Sequence, residues 1–352
     1  MLGSSSVSSL RQSELGSISH RVTNKAVTVS AGEEHFMLLD AQGQLWGGQS
    51  QKDGRLGHGI NDSYYKAKSP IPISQKAWSQ VSSGKNFTVA IDEKGKLWGW
   101  GANYNNVFPN VTTNHNTRPI KLSDKTWQFV SAGTSHFAAI EADGTLWLAG
   151  NNNDGQLGTG DSVTPNHLSK VNDDFDWVDV HARENSTIAL KADGSLWAWG
   201  YNNNGELGLG YKGVSELSPV AMNASNDWKL LSQGIGNHSL AIKNDGTLWS
   251  WGHNVNGELG LSHEEQIYTP MQIGTKEDWA SAVVGVNHSL VLKQDGRLYS
   301  FGDNSSGQLG NGERIDSSKP VYISDGWKSI AAAQTFSVGI KNNGDVYTWG
   351  AL

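Results

Sequence analysis

Large apolar residues alternate with small or polar ones in short segments along almost the whole chain, and each segment follows a turn that contains glycine. In residues 193–200, an Asp-Gly turn leads into Leu-Trp-Ala-Trp-Gly, and residues 245–252 are a close copy. Asp-Gly between two apolar strands favours a hairpin, because a tight primed turn requires positive φ. Alternation sends successive side chains to opposite faces of a sheet. The pattern therefore predicts many short hairpins with apolar groups on both faces.

The hairpin turn recurs at a nearly constant interval of 48 to 52 residues. Its glycines are Gly43, Gly95, Gly144, Gly194, Gly246, Gly296 and Gly344. A period of this length built from short strands is typical of a propeller. A small sheet with two apolar faces is not stable alone, and stacking such sheets in a ring covers both faces.

Each repeat also carries the same landmarks in the same order. A tryptophan opens the repeat, at Trp78, Trp127, Trp177, Trp228, Trp279 and Trp327. A strand of small residues follows, such as residues 130–133, which suits the crowded place where neighbouring blades converge on an axis. Gly-Gln-Leu-Gly or Gly-Glu-Leu-Gly closes the repeat at 155–158, 205–208, 257–260 and 307–310.

The combined pattern, Val-Ser-Ala-Gly-x-x-His-x-x-Ala-Ile-x-x-Asp-Gly-x-Leu-Trp-x-Trp-Gly-x-Asn-x-x-Gly-Gln-Leu-Gly, resembles the regulator of chromosome condensation repeat over residues 26–350. The resemblance implies an all-β, seven-bladed β-propeller of four-stranded antiparallel blades. Members of the family include a nucleotide-exchange factor for the small GTPase Ran, bacterial effectors acting on GTPases, an inhibitor of β-lactamase and phage-borne binding proteins. The resemblance therefore does not imply one function.

The chain is expected to form one propeller domain, residues 17–352, preceded by a serine-rich arm, residues 1–16. The last repeat stops after Trp349-Gly350, without the outer strand of the other repeats. Counting back from Ala26 places Ile-Ser-His-Arg-Val, residues 18–22, where that strand is missing. We expect this N-terminal strand to join the C-terminal blade and close the ring, which would remove an open sheet edge.

Two repeats depart from the pattern. In the first, Gly47-Gly48-Gln49 stands where Trp-Gly is expected. In the second, Asn-Val-Phe-Pro at 106–109 replaces Gly-Gln-Leu-Gly, and an irregular polar segment, residues 110–118, follows. Departures from a consistent pattern mark positions where function can replace structure.

Composition narrows the functional classes. The net charge of −7 disfavours binding to nucleic acid through bulk charge. The chain has no cysteine, which excludes disulfides and thiolate metal sites. No apolar run reaches 18 residues and no signal-peptide pattern opens the chain, so we expect synthesis in the cytoplasm and no insertion into a membrane.

The sequence offers no catalytic constellation. Four repeats carry a histidine at one shared position, while the other three carry phenylalanine or serine there: His35, His136, His238 and His288, against Phe87, Ser186 and Phe336. Periodic placement favours a structural histidine that bonds a neighbouring loop, because an enzyme site breaks the symmetry of a repeat. The aspartates Asp173, Asp174 and Asp176 are interpreted as a solvated loop. We expect no enzyme activity, no cofactor and no metal.

The variable connections of the repeats remain as the candidate binding surface. A repeated skeleton with variable turns presents a specific face, and tyrosine and arginine are favoured interface anchors. Arg183 additionally replaces the usual glycine of its turn. The predicted partner-binding residues are Tyr64, Tyr65, Lys85, Tyr104, Phe108, Arg183, Glu184, Tyr201, Tyr211 and Tyr268.

The sequence thus favours a non-enzymatic propeller that presents a loop face to a protein partner, as a structural or receptor-type component of a bacterial or phage virion assembly. Two alternatives stay open. One is a guanine-nucleotide exchange factor for a small GTPase, for which residues 106–118 are the one candidate wedge. The other is a protein inhibitor that closes an enzyme cleft with its loops.

Overall fold

The computed structural model describes residues 25–222 and 225–351, and it confirms an all-β, seven-bladed propeller. Each blade is an antiparallel sheet whose strands follow one another in chain order from the centre outwards. The serine-rich arm and the strand predicted at residues 18–22 lie outside the described residues. Blade 7 has three strands within the described part of the chain.

Strands β1 to β16 form blades 1 to 4. They are β1 (Ala26–Ala31), β2 (His35–Asp40), β3 (Leu45–Ser50), β4 (Lys66–Pro72), β5 (Trp78–Ser83), β6 (Phe87–Asp92), β7 (Leu97–Ala102), β8 (His115–Ser123), β9 (Trp127–Ala132), β10 (His136–Glu141), β11 (Leu146–Gly150), β12 (Ser169–Lys170), β13 (Trp177–Ala182), β14 (Ser186–Lys191), β15 (Leu196–Gly200) and β16 (Glu216–Ala221). Short 3-10 turns occur at Lys52–Gly54 and Tyr104–Asn106.

Strands β17 to β28 form blades 5 to 7. They are β17 (Trp228–Leu231), β18 (Gln233–Gly234), β19 (His238–Lys243), β20 (Leu248–Gly252), β21 (Ile267–Gln272), β22 (Trp279–Val284), β23 (His288–Lys293), β24 (Leu298–Gly302), β25 (Ser317–Ser324), β26 (Trp327–Ala332), β27 (Phe336–Lys341) and β28 (Val346–Gly350). Strand β18 leaves blade 5 and pairs in parallel with β22 of blade 6.

The repeated glycine turn makes the hairpin between the second and third strands. In blade 3, Ile140 pairs with Leu146, and Gly144 between them has φ of 86° and donates its N–H to Glu141 O at 2.9 Å. The left-handed conformation costs glycine little, since it has no Cβ. The predicted turn therefore sets the register of the blade.

The apolar core lies between blades. One cluster joins Ile140 and Leu146 of blade 3 to Trp177, Val180 and Trp199 of blade 4. Within it, Trp177 and Trp199 meet edge to face with ring centroids 6.1 Å apart, a geometry favoured by aromatic quadrupoles. Each blade thus buries the face of its neighbour, as the two-faced pattern predicts.

The same packing joins the first blade to the last. Phe36 and Leu38 of blade 1 share a cluster with Phe336 and Val338 of blade 7, and the Phe36 and Phe336 rings lie 6.5 Å apart. The ring is therefore complete through apolar contact.

The innermost strands also carry hydrogen bonds around the axis. Ser83 N donates to Ser30 Oγ across blades 1 and 2 at 2.9 Å, and Ala132 N donates to Ser82 Oγ across blades 2 and 3 at 2.9 Å. Small polar residues suit this crowded position, as predicted.

Candidate protein-binding face

The connections of the propeller lie on two opposite faces. The loop face, as we call it, holds the turns between first and second strands and the connections from third to fourth strands. The hairpin face holds the glycine turns and the connections to the next blade. Because the blades are antiparallel, every candidate residue predicted from the sequence lies on or beside the loop face.

We call the contact between two consecutive blades a seam and number it by the two blades. A chain of hydrogen bonds connects the loop face across such a seam. At seam 3–4, His136 Nε2 lies 2.9 Å from Thr187 Oγ1, and Thr187 Oγ1 donates to Gln156 O at 2.8 Å. Trp199 Nε1 donates to the same Gln156 oxygen at 2.9 Å. Since the hydroxyl proton goes to the carbonyl, the imidazole donates through Nε2. The blade 3 loop is thereby tied to blade 4.

The histidine–hydroxyl pair recurs at three other seams. The pairs are His35 with Thr88 at 3.0 Å, His238 with Ser289 at 2.7 Å, and His288 with Ser337 at 2.8 Å. In each pair the hydroxyl continues to a carbonyl of the preceding loop. These contacts confirm the predicted structural role of the histidines.

Two seams use apolar pairs at the same positions. Phe87 and Phe137 share a cluster at seam 2–3, and Phe336 and Phe36 meet at seam 7–1. The residue on one blade therefore matches the residue that it faces on the next: histidine faces a hydroxyl, and phenylalanine faces phenylalanine. The sequence carries this signal as a pairing between successive repeats, and sequence reasoning missed it.

Burial keeps these histidines neutral. It lowers the pKa of His136 from the usual 6.5 to about 3 and that of His288 to about 4. Burial also lowers the pKa of His35 and of His238 well below 6.5, helped by the charges of Arg55 and Arg183. Buried, neutral imidazoles bonded within a seam are not available as acid–base groups.

Seam 4–5 is built differently, and it corrects the prediction that Arg183 is a surface anchor. Ser186 stands where four other blades have histidine, and Arg183 is only 1% exposed. Arg183 Nη1 donates to His238 O at 2.7 Å, and Nη2 donates to Ser232 Oγ at 3.1 Å. These acceptors are uncharged, and burial lowers the pKa of the guanidinium to about 9. Arg183 therefore replaces the histidine bond instead of facing a partner.

Phe108 is likewise a core residue, not the surface anchor predicted. It is fully buried, and its ring meets Phe87 edge to face at 6.0 Å. Phe108 N donates to Asn103 Oδ1 at 2.7 Å, the same bond that Leu157 N makes with Asn152 at 2.9 Å. Phe108 thus fills the place of the leucine in Gly-Gln-Leu-Gly, which the aligned repeats already indicate.

The remaining candidates are at least partly exposed. Tyr64 is 98% exposed, Tyr65 54%, Tyr104 49% and Tyr211 41%. Lys85, Glu184, Tyr201 and Tyr268 are half-buried. Tyr211 donates to Glu216 Oε1 at 2.6 Å, and this bond raises the pKa of Tyr211 to about 12.

Charged contacts join the exposed residues of blades 1 and 2 into one region, which we call the blade 1–2 corner. The buried guanidinium of Arg55 lies 3.2 Å from Glu34 and 3.3 Å from Asp53. Tyr104 donates to the other oxygen of Asp53 at 3.1 Å, and burial and this bond raise the pKa of Tyr104. The hydrogen bond from Tyr104 to Asp53 thus links the blade 2 loop to the blade 1 loop, and Arg55 holds Asp53 in place.

Lys85 makes a second link across the same corner, with Nζ 3.1 Å from Glu33 Oε1. Exposed Tyr64 and Tyr65 lie on the blade 1 loop that leads away from Arg55. The corner therefore combines a rigid charged base with protruding aromatic rings, which is the composition of an interface anchor.

The corner also concentrates strained backbone. Six non-glycine residues of the described chain have positive φ, and five lie in blades 1 and 2, four of them in connections and one near the end of β3. They are Gln49, Asp53, Asn105, Asn106 and Asn110. Asparagine and aspartate adopt this conformation more readily than other side chains, whereas for Gln49 it costs about 1–3 kcal/mol, and such conformations cluster at functional sites. The two repeats that depart from the sequence pattern thus carry five of these six residues.

The loops of blades 4 and 5 hold two carboxylates at the position of glutamine in other repeats. Burial raises the pKa of Glu206. His253 Nδ1 lies 2.6 Å from the buried Glu258 Oε1, and this bond raises the pKa of His253. Glu206 and Glu258 each accept a backbone N–H of their own turn, from Asn204 and Asn256. They serve the loop structure.

The hairpin face is more regular. Lysines lie over the tryptophan rings there, as Lys191 does over Trp177 at 4.8 Å, and pair with nearby aspartates. Lys191 lies 2.6 Å from Asp174 and 3.1 Å from Asp176, so the predicted solvated loop is anchored.

Within residues 25–222 and 225–351, no group of three or more His, Asp or Glu side chains is arranged to hold a metal ion. No helix of the described chain is long and apolar enough to cross a membrane.

Comparison with known families identifies the repeats. The regulator of chromosome condensation (RCC1) repeat model matches residues 193–242, 245–292 and 295–340, and a second model of the same repeat matches residues 78–106, 230–258 and 279–308.

Curated relatives share only the repeats. The serine/threonine-protein kinase Nek9 of Xenopus laevis is 34% identical over 85 residues, which are 23% of this chain and 9% of the kinase. The ultraviolet-B receptor UVR8 of Arabidopsis thaliana is 32% identical over 90 residues, which are 24% of this chain and 20% of the receptor. The match thus spans a fifth or less of these relatives.

Solved structures share the whole ring. Human WBSCR16 matches with a TM-score of 0.80 and 20% identity, covering 95% of this chain and 89% of that one. Prp20p of Saccharomyces cerevisiae matches with a TM-score of 0.79 and 20% identity, covering 93% and 83%. At this identity the likeness shows the fold alone.

Proposed function

The chain belongs to the RCC1 repeat family, and from this premise we propose that it is a non-enzymatic scaffold that binds a protein partner through the blade 1–2 corner. The observation that carries the proposal is the coincidence, at one corner, of exposed tyrosines, a buried charge network and strained backbone. Backbone strain persists only where its surroundings hold it, and it is typical of binding sites.

Structural relatives support a protein partner. Prp20p is described by its binding properties to Gsp1p and histones, and the yeast RCC1 protein Prp20 is also known bound to Kap60. A fold does not fix a function, but Prp20, which shares this fold, is a protein that binds other proteins.

Site-specific crosslinking tests the proposal. A photoreactive phenylalanine analogue at Tyr64 or Tyr104 is expected to crosslink one and the same protein in extract of the source cells. The matched control places the analogue at Phe175, which is 74% exposed on the hairpin face. A partner captured equally from Phe175, or none from Tyr64 and Tyr104, would contradict the proposal.

Nucleotide exchange on a small GTPase is the second candidate, favoured by the likeness to Prp20p, which binds Gsp1p. The segment expected as a wedge is packed down: Phe108 is buried, and Asn103 Nδ2 donates to Val111 O at 2.9 Å and to Thr113 O at 3.0 Å. Release of a fluorescent guanine nucleotide from small GTPases of the source cell measures this activity, and we expect no acceleration.

Two finer expectations from the sequence receive no support from the relatives. The expectations that the protein is a virion component or an enzyme inhibitor are supported only by the variety of functions within the family. The proposal therefore names a protein partner without either role.

A further inference from the structure

A small cavity of about 200 Å³ opens beside the blade 1–2 corner, at seam 2–3, between the blade 2 loops and the first turn of blade 3. Phe87 and Val107 form its apolar floor. Lys85 and Tyr104 stand on one side, and Ser135 of blade 3 stands on the other. The backbone fixes this arrangement, because Lys85 N donates to Gly133 O at 3.1 Å across the seam.

The lining offers hydrogen-bond donors to an anionic group, beside Asn86, Asn105 and Thr134, whose side chains can both donate and accept. Lys85 is the one charged residue that lines it. Ser135 Oγ is buried without a hydrogen-bond partner in the described structure. Tyr104 already donates its hydroxyl proton to Asp53, so its ring serves as a fixed wall. A buried donor without a partner costs free energy unless a ligand supplies an acceptor.

This chemistry fits one carboxylate on a short apolar stem. The oxygens of a carboxylate accept from an ammonium and a hydroxyl together, and charge-assisted hydrogen bonds are about twice as strong as neutral ones. The floor of Phe87 and Val107 suits the methylene groups of the stem. Lys85 supplies a single positive charge, which it already shares with Glu33, so a carboxylate with one negative charge fits the cavity better than a phosphate group with about two.

Glu33 already holds Lys85 from outside the cavity, with the lysine 41% and the glutamate 17% exposed. This pair keeps the ammonium at the rim and leaves its other donors free, since a lysine has three.

We propose that the cavity takes an aspartate or glutamate side chain of the partner protein, with Lys85 and Ser135 as its donors. The proposal rests on the proposed function and names the chemistry of the partner at the corner.

The test uses the whole chain and a minimal probe, N-acetyl-glutamate N-methylamide, with the glutamine analogue as the uncharged match. Amide chemical shifts report weak binding residue by residue. The glutamate probe is expected to shift Lys85, Asn86 and Ser135, and the glutamine probe to bind about tenfold more weakly. Lys85→Gln should weaken the glutamate probe about tenfold and Ser135→Ala about threefold, while Lys94→Gln on the hairpin face leaves binding unchanged.

The outcomes separate the two proposals. Equal binding of both probes, or full affinity in a folded Lys85→Gln variant, overturns the acidic specificity. If neither probe binds while the crosslink from Tyr104 persists, the inference is wrong and the proposed function stands. Thermal unfolding of each variant, expected unchanged, shows that the ring is intact.

Discussion

Seam 3–4 and seam 4–5 solve one problem with different chemistry. At seam 3–4, a neutral histidine donates to a threonine that passes the bond to a loop carbonyl. At seam 4–5, the histidine is replaced by serine, and a buried, charged Arg183 reaches across instead. Ser239, at the place of that threonine, is left with a buried hydroxyl that has no partner among the described residues.

The difference shows which part of the seam is replaceable. Trp251 Nε1 at seam 4–5 still donates to Glu206 O at 3.1 Å, as Trp199 donates to Gln156 O at seam 3–4. The indole bond is thus shared, whereas the second link across the seam takes either form. The two forms are expected to differ in how low pH, substitution of the linking residue and removal of a single hydroxyl change the stability of the seam.

Acid is expected to have the largest effect. The folded pKa values of His136 and His288 lie near 3 and 4, below the unfolded value of 6.5. Falling pH therefore protonates the unfolded chain first: this contribution to stability is full above pH 6.5 and is lost between pH 6.5 and about 4. Each histidine should remove about 1.4 kcal/mol per pH unit in that window. Denaturant unfolding at pH 7.5 and pH 5 measures the loss.

The comparison predicts where the ring weakens. The guanidinium of Arg183, with a pKa of about 9, stays charged in acid. Hydrogen exchange at pH 5 should rise first at the histidine seams, and equal loss of protection at seam 4–5 would contradict this view.

Replacing Arg183 by alanine is expected to cost about 3–4 kcal/mol of unfolding free energy. The change leaves a cavity and strips His238 O and Ser232 Oγ of a donor. Arg314→Ala, at an exposed arginine of the loop face, is the matched control and should change stability by less than about 0.5 kcal/mol. A stable Arg183→Ala variant would show that the guanidinium is not the link across seam 4–5.

Thr187→Val is expected to lower the free energy of unfolding by about 1–2 kcal/mol. Valine keeps the shape but removes both the acceptor of His136 and the donor to Gln156 O. A double-mutant cycle with His136→Ala should show that the two residues are energetically coupled. Additive losses of unfolding free energy would mean that the two bonds are independent.

Ser239→Ala is expected to change the free energy of unfolding least and to be neutral or slightly stabilising. It removes a buried hydroxyl that has no partner among the described residues. Ser289→Ala, at the same position of seam 5–6, supplies the contrast, since that hydroxyl donates to Glu258 O at 2.9 Å. If both serines cost the same, seam 4–5 contains an acceptor that the contacts described do not include.

The fold was predictable because each repeat states its own turn and strand. Gly144 and its equivalents fix the hairpins, and Trp177 and its equivalents mark the first strand. The seven repeats therefore indicate the same unit independently. The structural role of the histidines followed from their period. The hydrogen-bond partners of the histidines were not predicted. Each partner hydroxyl lies on the next repeat, and the pairing can be recognised only when successive repeats are compared.

The binding surface was less predictable, because residue type alone does not reveal burial. Arg183 is charged, yet it reaches inward, since the turn that lacks glycine brings its side chain against the next blade. Phe108 stood in a departing repeat, yet it kept the role of leucine. The corner itself is marked in the sequence by its two irregular repeats, but the link from Arg55 to Tyr104 through Asp53 depends on loop conformation.

Strand β18 has a consequence for how such a chain could be rebuilt. Gln233 and Gly234 belong to the fifth unit in sequence but bond to Val283 and Val284 of the sixth. A side chain at Gly234 would meet Val284 O at 1.7 Å, so the crossing tolerates no bulk. Excising or exchanging either unit alone would remove one side of this strand pairing. Recombination at this boundary therefore has to keep residues that can form the pairing on both sides.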